Sequence, residues 1–314
     1  MNLLAIDIGG TRSRFAHCYY QSASEFQIEH IFETETCQAN IKKFQDLLAV
    51  YEATKPNLFL SLEEYKLISI AIAGPVNGRT STPPNIAWDI DLDEIDYLSK
   101  TYLINDFVAQ AYAFLLPDTL NKQKLIRSND HETGAIAIIG AGTGLGHCML
   151  ARTENGEYEV FPSEAGQACF PFNKDEKNLE LFVLDKTRQE YVTNDLMVSG
   201  SGLSLIHEFL TSSALSAEAI FTDTENNLQT LKLFSRLYGR ACRNYCLSSY
   251  ITGKLIITGG IAAKHPELID TTNFLDEFEN SSSHRSILRK IAIYLNKDEN
   301  IGLLGAANYA LIHE

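Results

Sequence analysis

Apolar and polar positions along this chain predict strands and helices in alternation. Leu3 to Ile8 is an apolar run of buried-strand type, and Arg14 to Tyr20 and Phe26 to Thr34 continue it as an antiparallel meander around the polar turn Gln21 to Glu25. Ile41, Phe44, Leu47, Leu48 and Tyr51 recur at helical spacing, and that helix must end before Pro56. Tyr65 to Ala73 reads as a strand closed by Gly74-Pro75. Thr80 to Trp88 reads as a loop because it holds Pro83 and Pro84, and Asp91 as the cap of a short helix ending near Lys100. Tyr102 to Ile104 is a brief strand stopped by Asn105-Asp106, with a helix from Phe107 to Leu115. This order predicts an α/β domain with a mixed sheet.

The plan begins again at Ile136. Phe161 to Asn173 is expected to be irregular and is followed by helices over about Asp175 to Arg188 and over Leu203 to Leu210. A long helix from Asn226 to Tyr250 carries Leu231, Phe234, Tyr238, Ala241, Cys242 and Tyr245 on one face. Leu255 to Thr258 is a strand ending in Gly259-Gly260, a helix follows near Pro266, and Ile291 to Leu295 is the last strand. Asn300 to Ile312 is a terminal helix whose Gly302 and Gly305 permit close packing. The expected division is a small domain over 1–110, joined by the terminal helix 300–314, and a large domain over 111–299.

The stretch Ile136 to Leu150, IAIIGAGTGLGHCML, organises this pattern. An apolar strand meets Gly140, Gly142, Gly144 and Gly146 at every second position, with Thr143 between them, and a second apolar segment follows. Glycines there let the backbone reach positive φ and let a ligand approach with no Cβ in the way. A hairpin is therefore expected whose turn offers N–H groups to an anion, against the plainer alternative of a glycine-rich hairpin with no ligand. The spacing is neither that of a dinucleotide fold nor that of a Walker loop, so a Rossmann-type dehydrogenase is excluded. Leu3 to Arg14, LLAIDIGGTRSR, repeats the device with Gly9, Gly10 and Thr11. Two such turns about one domain apart suggest a duplicated unit with a phosphate chain held between the halves.

Composition changes this picture only by exclusion. In 314 residues, 45% are hydrophobic and 21% charged, an ordinary globular balance. A formal net charge of −14 argues against a nucleic-acid groove, which needs clustered Lys and Arg. No apolar run approaches a membrane span, and the amino terminus lacks a cationic stretch leading into an apolar one. Cys18, Cys37, Cys148, Cys169, Cys242 and Cys246 form no zinc pattern and are expected to be reduced thiols in a cytoplasmic protein.

Few residues remain to carry chemistry. Asp7, at the carboxyl end of the first strand beside the first turn, is placed to hold Mg²⁺, usually through water; otherwise it caps local N–H groups. Asp106 also ends a strand, where open α/β sheets bind ligands, and is either a general base or the N-cap of the following helix. Glu164, in FPSEAGQACF, lies in a loop where a lone Glu is more often simply solvated. Gly259-Gly260 either admits a nucleotide against the backbone or makes an ordinary strand-to-helix turn.

At this point the residues resemble bacterial glucokinases of the actin-like ATPase superfamily, nearly end to end. LLAIDIGGTRSRFA resembles the family's first phosphate motif, IAIAGPVNG followed by NIAW its sugar-side loop, and YLINDFVAQAYAF the segment with the catalytic acid. IIGAGTGLG resembles the second phosphate loop, while MVSGSGLSLIHEFL, LIITGGIAAK and NIGLLGAANYAL resemble three further blocks. The resemblance implies two actin-like, ribonuclease H-like α/β domains with mixed sheets around a central cleft, the last helix returning to the first domain. It implies an ATP-dependent hexose kinase with Asp106 as base. Asn85, Asn105, Asp106, Glu164, Gln167 and Asp195 would meet the sugar. Asp7, Gly9, Gly10, Thr11, Gly140, Gly142, Thr143, Gly144, Gly259 and Gly260 would line ATP and its Mg²⁺. Three positions depart from the family pattern: Arg12 stands for Asn, Gln167 for His and Asp195 for Glu. The alternatives are a kinase for mannose or an amino sugar, and a sugar sensor without turnover. The expected partners are a hexose and ATP, with no nucleic acid or membrane, and a homodimer is the assembly to look for.

Overall fold

The computed structural model describes residues 1–22, 25–95, 100–128 and 134–314. Two compact units divide the chain, residues 1–121 with 299–314 and residues 122–298. The first unit ends later than the expected 110/111 boundary. The helix Asp106–Ala113 packs against the terminal helix and so belongs wholly to this unit.

The first unit is a five-stranded mixed sheet in the order β3-β2-β1-β4-β8. Its strands are β1 (Asn2–Ile8), β2 (Arg12–Ser22), β3 (Glu25–Glu35), β4 (Leu67–Ile72) and β8 (Thr101–Asn105). β1 to β3 form the antiparallel meander, and β1, β4 and β8 run parallel. A parallel pair needs a crossover, and helix α1 (Phe44–Thr54) supplies it between β3 and β4. Phe44, Leu47, Leu48 and Tyr51 of α1 pack with Leu4, Ile6 and Ile8 on one face of the sheet. On the other face Leu303, Ala306, Ala307 and Ala310 of the terminal helix (Ile301–Ile312) pack with Leu3, Ala5 and Ala109. Ala109 belongs to α2 (Asp106–Ala113), whose backbone comes so close that a Cβ on Gly305 would stand 1.6 Å from the Ala109 carbonyl oxygen.

The segment expected to be a loop at Thr80 to Trp88 contributes to a small sheet of β5 (Val76–Asn77), β6 (Thr80–Ser81) and β7 (Ile90–Asp91). These strands are two residues long, below what periodicity resolves. Asp91 does cap a turn, accepting from the Asp93 N–H, but that turn is a 3₁₀ helix over Leu92–Glu94. Most of the remaining stretch toward Lys100 lies outside the described residues.

The second unit repeats the strand order as β12-β11-β10-β13-β14 and adds β9 at the edge. The strands are β9 (Lys124–Arg127), β10 (Ile136–Ala141), β11 (Leu145–Arg152), β12 (Tyr158–Ser163), β13 (Lys254–Thr258) and β14 (Ala292–Leu295). β12 corrects the expectation of an irregular stretch from Phe161. Pro162 argues against a central strand, but β12 lies at the sheet edge, where a missing N–H costs no ladder bond. The helices are α3 (Lys177–Thr187), α4 (Asn194–Met197), α5 (Gly200–Thr211), α6 (Ala217–Thr222), α7 (Leu228–Ser248), α8 (Gly260–Lys264), α9 (Thr272–Phe278) and α10 (Arg285–Leu288). The predicted apolar face of α7 is buried from Leu231 to Tyr245. None of the six cysteines forms a disulfide, and among the described residues no helix is long and apolar enough to cross a membrane.

Candidate active site

Because β1, β4 and β8 are parallel, their carboxyl ends share one edge, with Ile8 beside Ile72 and Ile72 beside Asn105. Asp7, the turn Gly9-Gly10-Thr11, Asn105 and Asp106 all follow from those strand ends. The β1–β2 turn is tied off by its own carbonyls. Gly9 N–H donates to Arg12 O at 3.0 Å, Thr36 N–H to Thr11 O at 3.0 Å, the Thr36 hydroxyl to Gly9 O at 2.7 Å and the Cys37 thiol to Gly10 O at 3.4 Å. Sequence reasoning missed Thr36 and Cys37. Only the β2–β3 register, Arg12 opposite Glu35, puts Thr36 next to Thr11.

Gly10 brings Asn85 to this turn, since a Cβ at Gly10 would stand 3.6 Å from the Asn85 Cβ. Arg12 points away from it: the exposed guanidinium lies 3.6 Å from Glu33 on β3. Asp7 abuts the first turn of the terminal helix, and a Cβ at Gly302 would be 2.8 Å from Asp7 Oδ2. Burial pushes the Asp7 carboxyl up to about 6, partly offset by the Arg14 guanidinium.

Asn105, not Asp106, caps α2. Asn105 Oδ1 accepts from Phe107 N–H at 2.9 Å and Val108 N–H at 3.2 Å, and its Nδ2 donates to Gly74 O at 3.0 Å. That occupies both lone pairs and one amide proton, leaving Asn105 one N–H for a ligand. Asp106 is the first helical residue and half-buried, so the N-cap alternative for it is replaced by Asn105.

In the second unit the same edge is built from β10 and β13, with Gly140 beside Thr258. Gly140 is inside the strand, buried between Gly146 and Thr258, and the exposed turn is Gly142-Thr143-Gly144. None of these glycines, nor Gly9 or Gly10, has positive φ, so conformational freedom is not why they are glycine. At Gly144 the reason is close approach. A Cβ on Gly144 would lie 2.2 Å from Asp195 Oδ1, whereas one on Gly142 would meet nothing within 4 Å. Asp195 Oδ1 accepts from Leu145 N–H at 2.7 Å, Gly142 N–H donates to Gly144 O at 2.8 Å, and Gly200 N–H to Gly142 O at 3.1 Å.

Asp195 also connects this turn to the segment with Glu164 and Gln167. A 3₁₀ turn over Ala165–Gln167 is closed by Gln167 N–H donating to Glu164 O at 3.0 Å. Asn194 Nδ2 donates to Ala165 O at 3.1 Å and Ala168 O at 3.0 Å. Gly166 presses on the hairpin, since a Cβ there would be 2.3 Å from Leu145 O. Glu164 is exposed as a residue, but partial desolvation of its carboxyl, followed by the nearby Asp195 charge, raises its pKa. Gln167 is exposed. Gly259 is explained by the fold itself: its φ is +86°, and a Cβ would lie 2.5 Å from Ala141 O. A Cβ at Gly260 meets nothing within 4 Å, so that residue is open to a ligand. Among the described residues no cluster of three or more His, Cys, Asp or Glu could hold a metal ion.

A family model described as Glucokinase matches residues 4–313. A glucokinase of Trichormus variabilis is 34% identical, with 97% of this chain and 97% of that protein covered. The crystal structure of glucokinase from an Antarctic psychrotroph is similar with a TM-score of 0.80 at 25% identity, covering 100% of this chain and 99% of the other. A ROK family glucokinase from Streptomyces griseus, in complex with glucose and AMPPNP, has a TM-score of 0.62 at 16% identity over 98% and 99% of the two chains. That last likeness is one of fold.

Proposed function

The chain belongs to the glucokinase family, and from that premise we propose that it transfers the γ-phosphoryl group of ATP to the 6-hydroxyl of glucose, giving glucose 6-phosphate and ADP in the cytoplasm. One observation carries the reading beyond the family: in each unit a strand of the sheet, β1 in the first and β10 in the second, runs into a tight glycine turn at its carboxyl end. Phosphoryl transfer depends mostly on positioning and on spreading charge over the phosphate oxygens, and in this reading the backbone N–H groups of the braced turns Gly9-Gly10-Thr11 and Gly142-Thr143-Gly144 supply both.

In this mechanism Asp106 accepts the 6-hydroxyl proton as that oxygen attacks phosphorus. Asn85, the remaining amide proton of Asn105, Glu164 and Gln167 hold the sugar, and Gly260 leaves room for the nucleotide. Mg²⁺ takes few protein carboxylates and keeps waters and phosphate oxygens as its other ligands, so Asp7 alone beside a phosphate turn fits it. When bound, Mg²⁺ would neutralise phosphate charge, and Asp7, ionised above about pH 6, would hold it through water.

The departures at Gln167 and Asp195 bear on sugar choice. Gln167 offers a neutral amide, and one Asp195 oxygen is already taken by Leu145 N–H. A polar site that is partly occupied or bridged by water discriminates less than one built for a hydroxyl. Coupled ADP release over a panel of hexoses tests both levels. Glucose should drive ADP release, and 2-deoxyglucose and mannose should lose less kcat/KM than galactose or 3-deoxyglucose. Glucose binding in calorimetry with no ADP release would make the protein a sensor and overturn the kinase reading.

A further inference from the structure

The short helix α4 begins with two residues that hold different ligand segments. Asn194 bonds the carbonyls of Ala165 and Ala168, fixing the turn that carries Glu164 and Gln167. Asp195, the next residue, accepts on Oδ1 from Leu145 N–H at 2.7 Å, at the foot of the Gly142–Gly144 turn. Thr193 caps the helix by accepting from Leu196 N–H at 3.0 Å and pairs in a bridge with Cys169, so this dipeptide is itself fixed. The fit is close on both sides: neither Gly144 nor Gly166 could carry a Cβ without a collision, with Asp195 in one case and Leu145 O in the other.

We propose that Asp195 is a positioning residue with two faces, Oδ1 fixing the second phosphate turn and Oδ2 remaining for the sugar beside Glu164. This rests on the kinase reading and deepens it. A carboxylate serving only the sugar would have no need of Leu145 N–H, and the same side chain lies against the turn of Glu164 and Gln167, its Cβ 3.6 Å from where a Cβ on Gly166 would stand. The residue that departs from the family pattern thus ties the turn down with a side chain one methylene shorter.

The test separates the two oxygens. In Asp195→Asn the amide oxygen can still accept from Leu145 N–H, so KM for ATP should stay within about threefold while KM for glucose rises. In Asp195→Ala the turn loses a bond to a charged acceptor, and KM for ATP should rise about tenfold or more along with KM for glucose. Gly144→Ala pushes the carboxylate off the turn and should raise KM for ATP with all of Asp195 present. Calorimetric titration with AMPPNP in the absence of sugar should show the same order, and melting curves establish that each variant is folded. If Asp195→Ala and Gly144→Ala bind AMPPNP like the natural protein, the inference is wrong, whatever happens to glucose. If Asp195→Ala does not fold, Asp195→Asn against Gly144→Ala still decides: equal AMPPNP affinity overturns it. A natural protein that binds AMPPNP but releases no ADP with any hexose sinks the kinase reading alone; one that binds no AMPPNP sinks both.

Discussion

Asp7→Asn should make the protein more stable and less active, and the size of the first effect follows from the site. In the folded protein the Asp7 carboxyl is raised from its ordinary 3.8 to about 6 because burial against the terminal helix disfavours the charge. An acid raised on folding takes up a proton when the chain folds. Its charge therefore costs stability above about pH 6, and the cost fades as pH falls through about 4. At about 1.4 kcal/mol per pKa unit, a shift of this size corresponds to about 3 kcal/mol at neutral pH, about half of that at pH 5 and little below pH 4. Asn keeps the shape and removes the charge. Urea unfolding of the two proteins should show a midpoint advantage for Asp7→Asn at pH 7.5 that shrinks at pH 5 and vanishes near pH 4. The same substitution should reduce ADP release at saturating glucose by about 10²-fold or more and abolish the benefit of added Mg²⁺, since the carboxylate that would hold the ion is gone. A pH-independent difference, or a loss of stability at pH 7.5, would show that the carboxylate is not desolvated and refute the argument.

Other outcomes are sharper in one readout each. Asp106→Asn should lower kcat by about 10²–10⁴ in a protein that still folds, since Asn105 remains to cap α2; near-normal turnover would remove Asp106 as the base. Gly305→Ala should destabilise by about 2–3 kcal/mol, since a Cβ 1.6 Å from Ala109 O cannot be relieved by rotation and the overpacking outweighs the helix-propensity gain of Ala. The melting temperature of the first unit should then fall by about 5–10 °C, and a rise would contradict the packing.

What was legible in the sequence was what has a period or a punctuation mark. The apolar runs ending in Asp7-Ile8-Gly9-Gly10 and Ile139-Gly140-Ala141-Gly142 announced two hairpins, and both are present with three-residue turns. β12 was hidden by Pro162, and β9, four residues long, lacked any pattern to find. At the site the residue types were readable but not their bonds. Nothing in the spacing tells that Thr36 braces the first turn, because that depends on the register of β3, or that Asp195 reaches Leu145, fifty positions back in the chain. Of the two reasons the turn glycines offered, positive φ holds only at Gly259 among the candidates; the others make room for a neighbour or leave a space open.

The terminal helix shows how far one small-residue pattern can mislead and still be useful. Gly302 and Gly305 look like a single packing motif, yet they face different problems. Gly305 lets the helix lie against the backbone of α2, whereas Gly302 lets its first turn receive the Asp7 carboxylate. A helix amino end carries partial positive charge and favours an anion, which opposes the desolvation that raises Asp7. Arg14 acts in the same direction and is itself held on the helix side by Glu299, donating to its carbonyl at 2.6 Å and to its carboxylate at 3.1 Å. The charge state of Asp7 near neutral pH is therefore set by where the last helix ends up, so a residue of the first strand depends on the last segment of the chain. Loosening that helix at Gly305 should disturb Asp7 as well as the fold, moving the acid limb of the Mg²⁺-dependent rate to a different pH. A Gly305→Ala enzyme with lowered stability and an unmoved acid limb would show that the helix packs beside Asp7 without governing it.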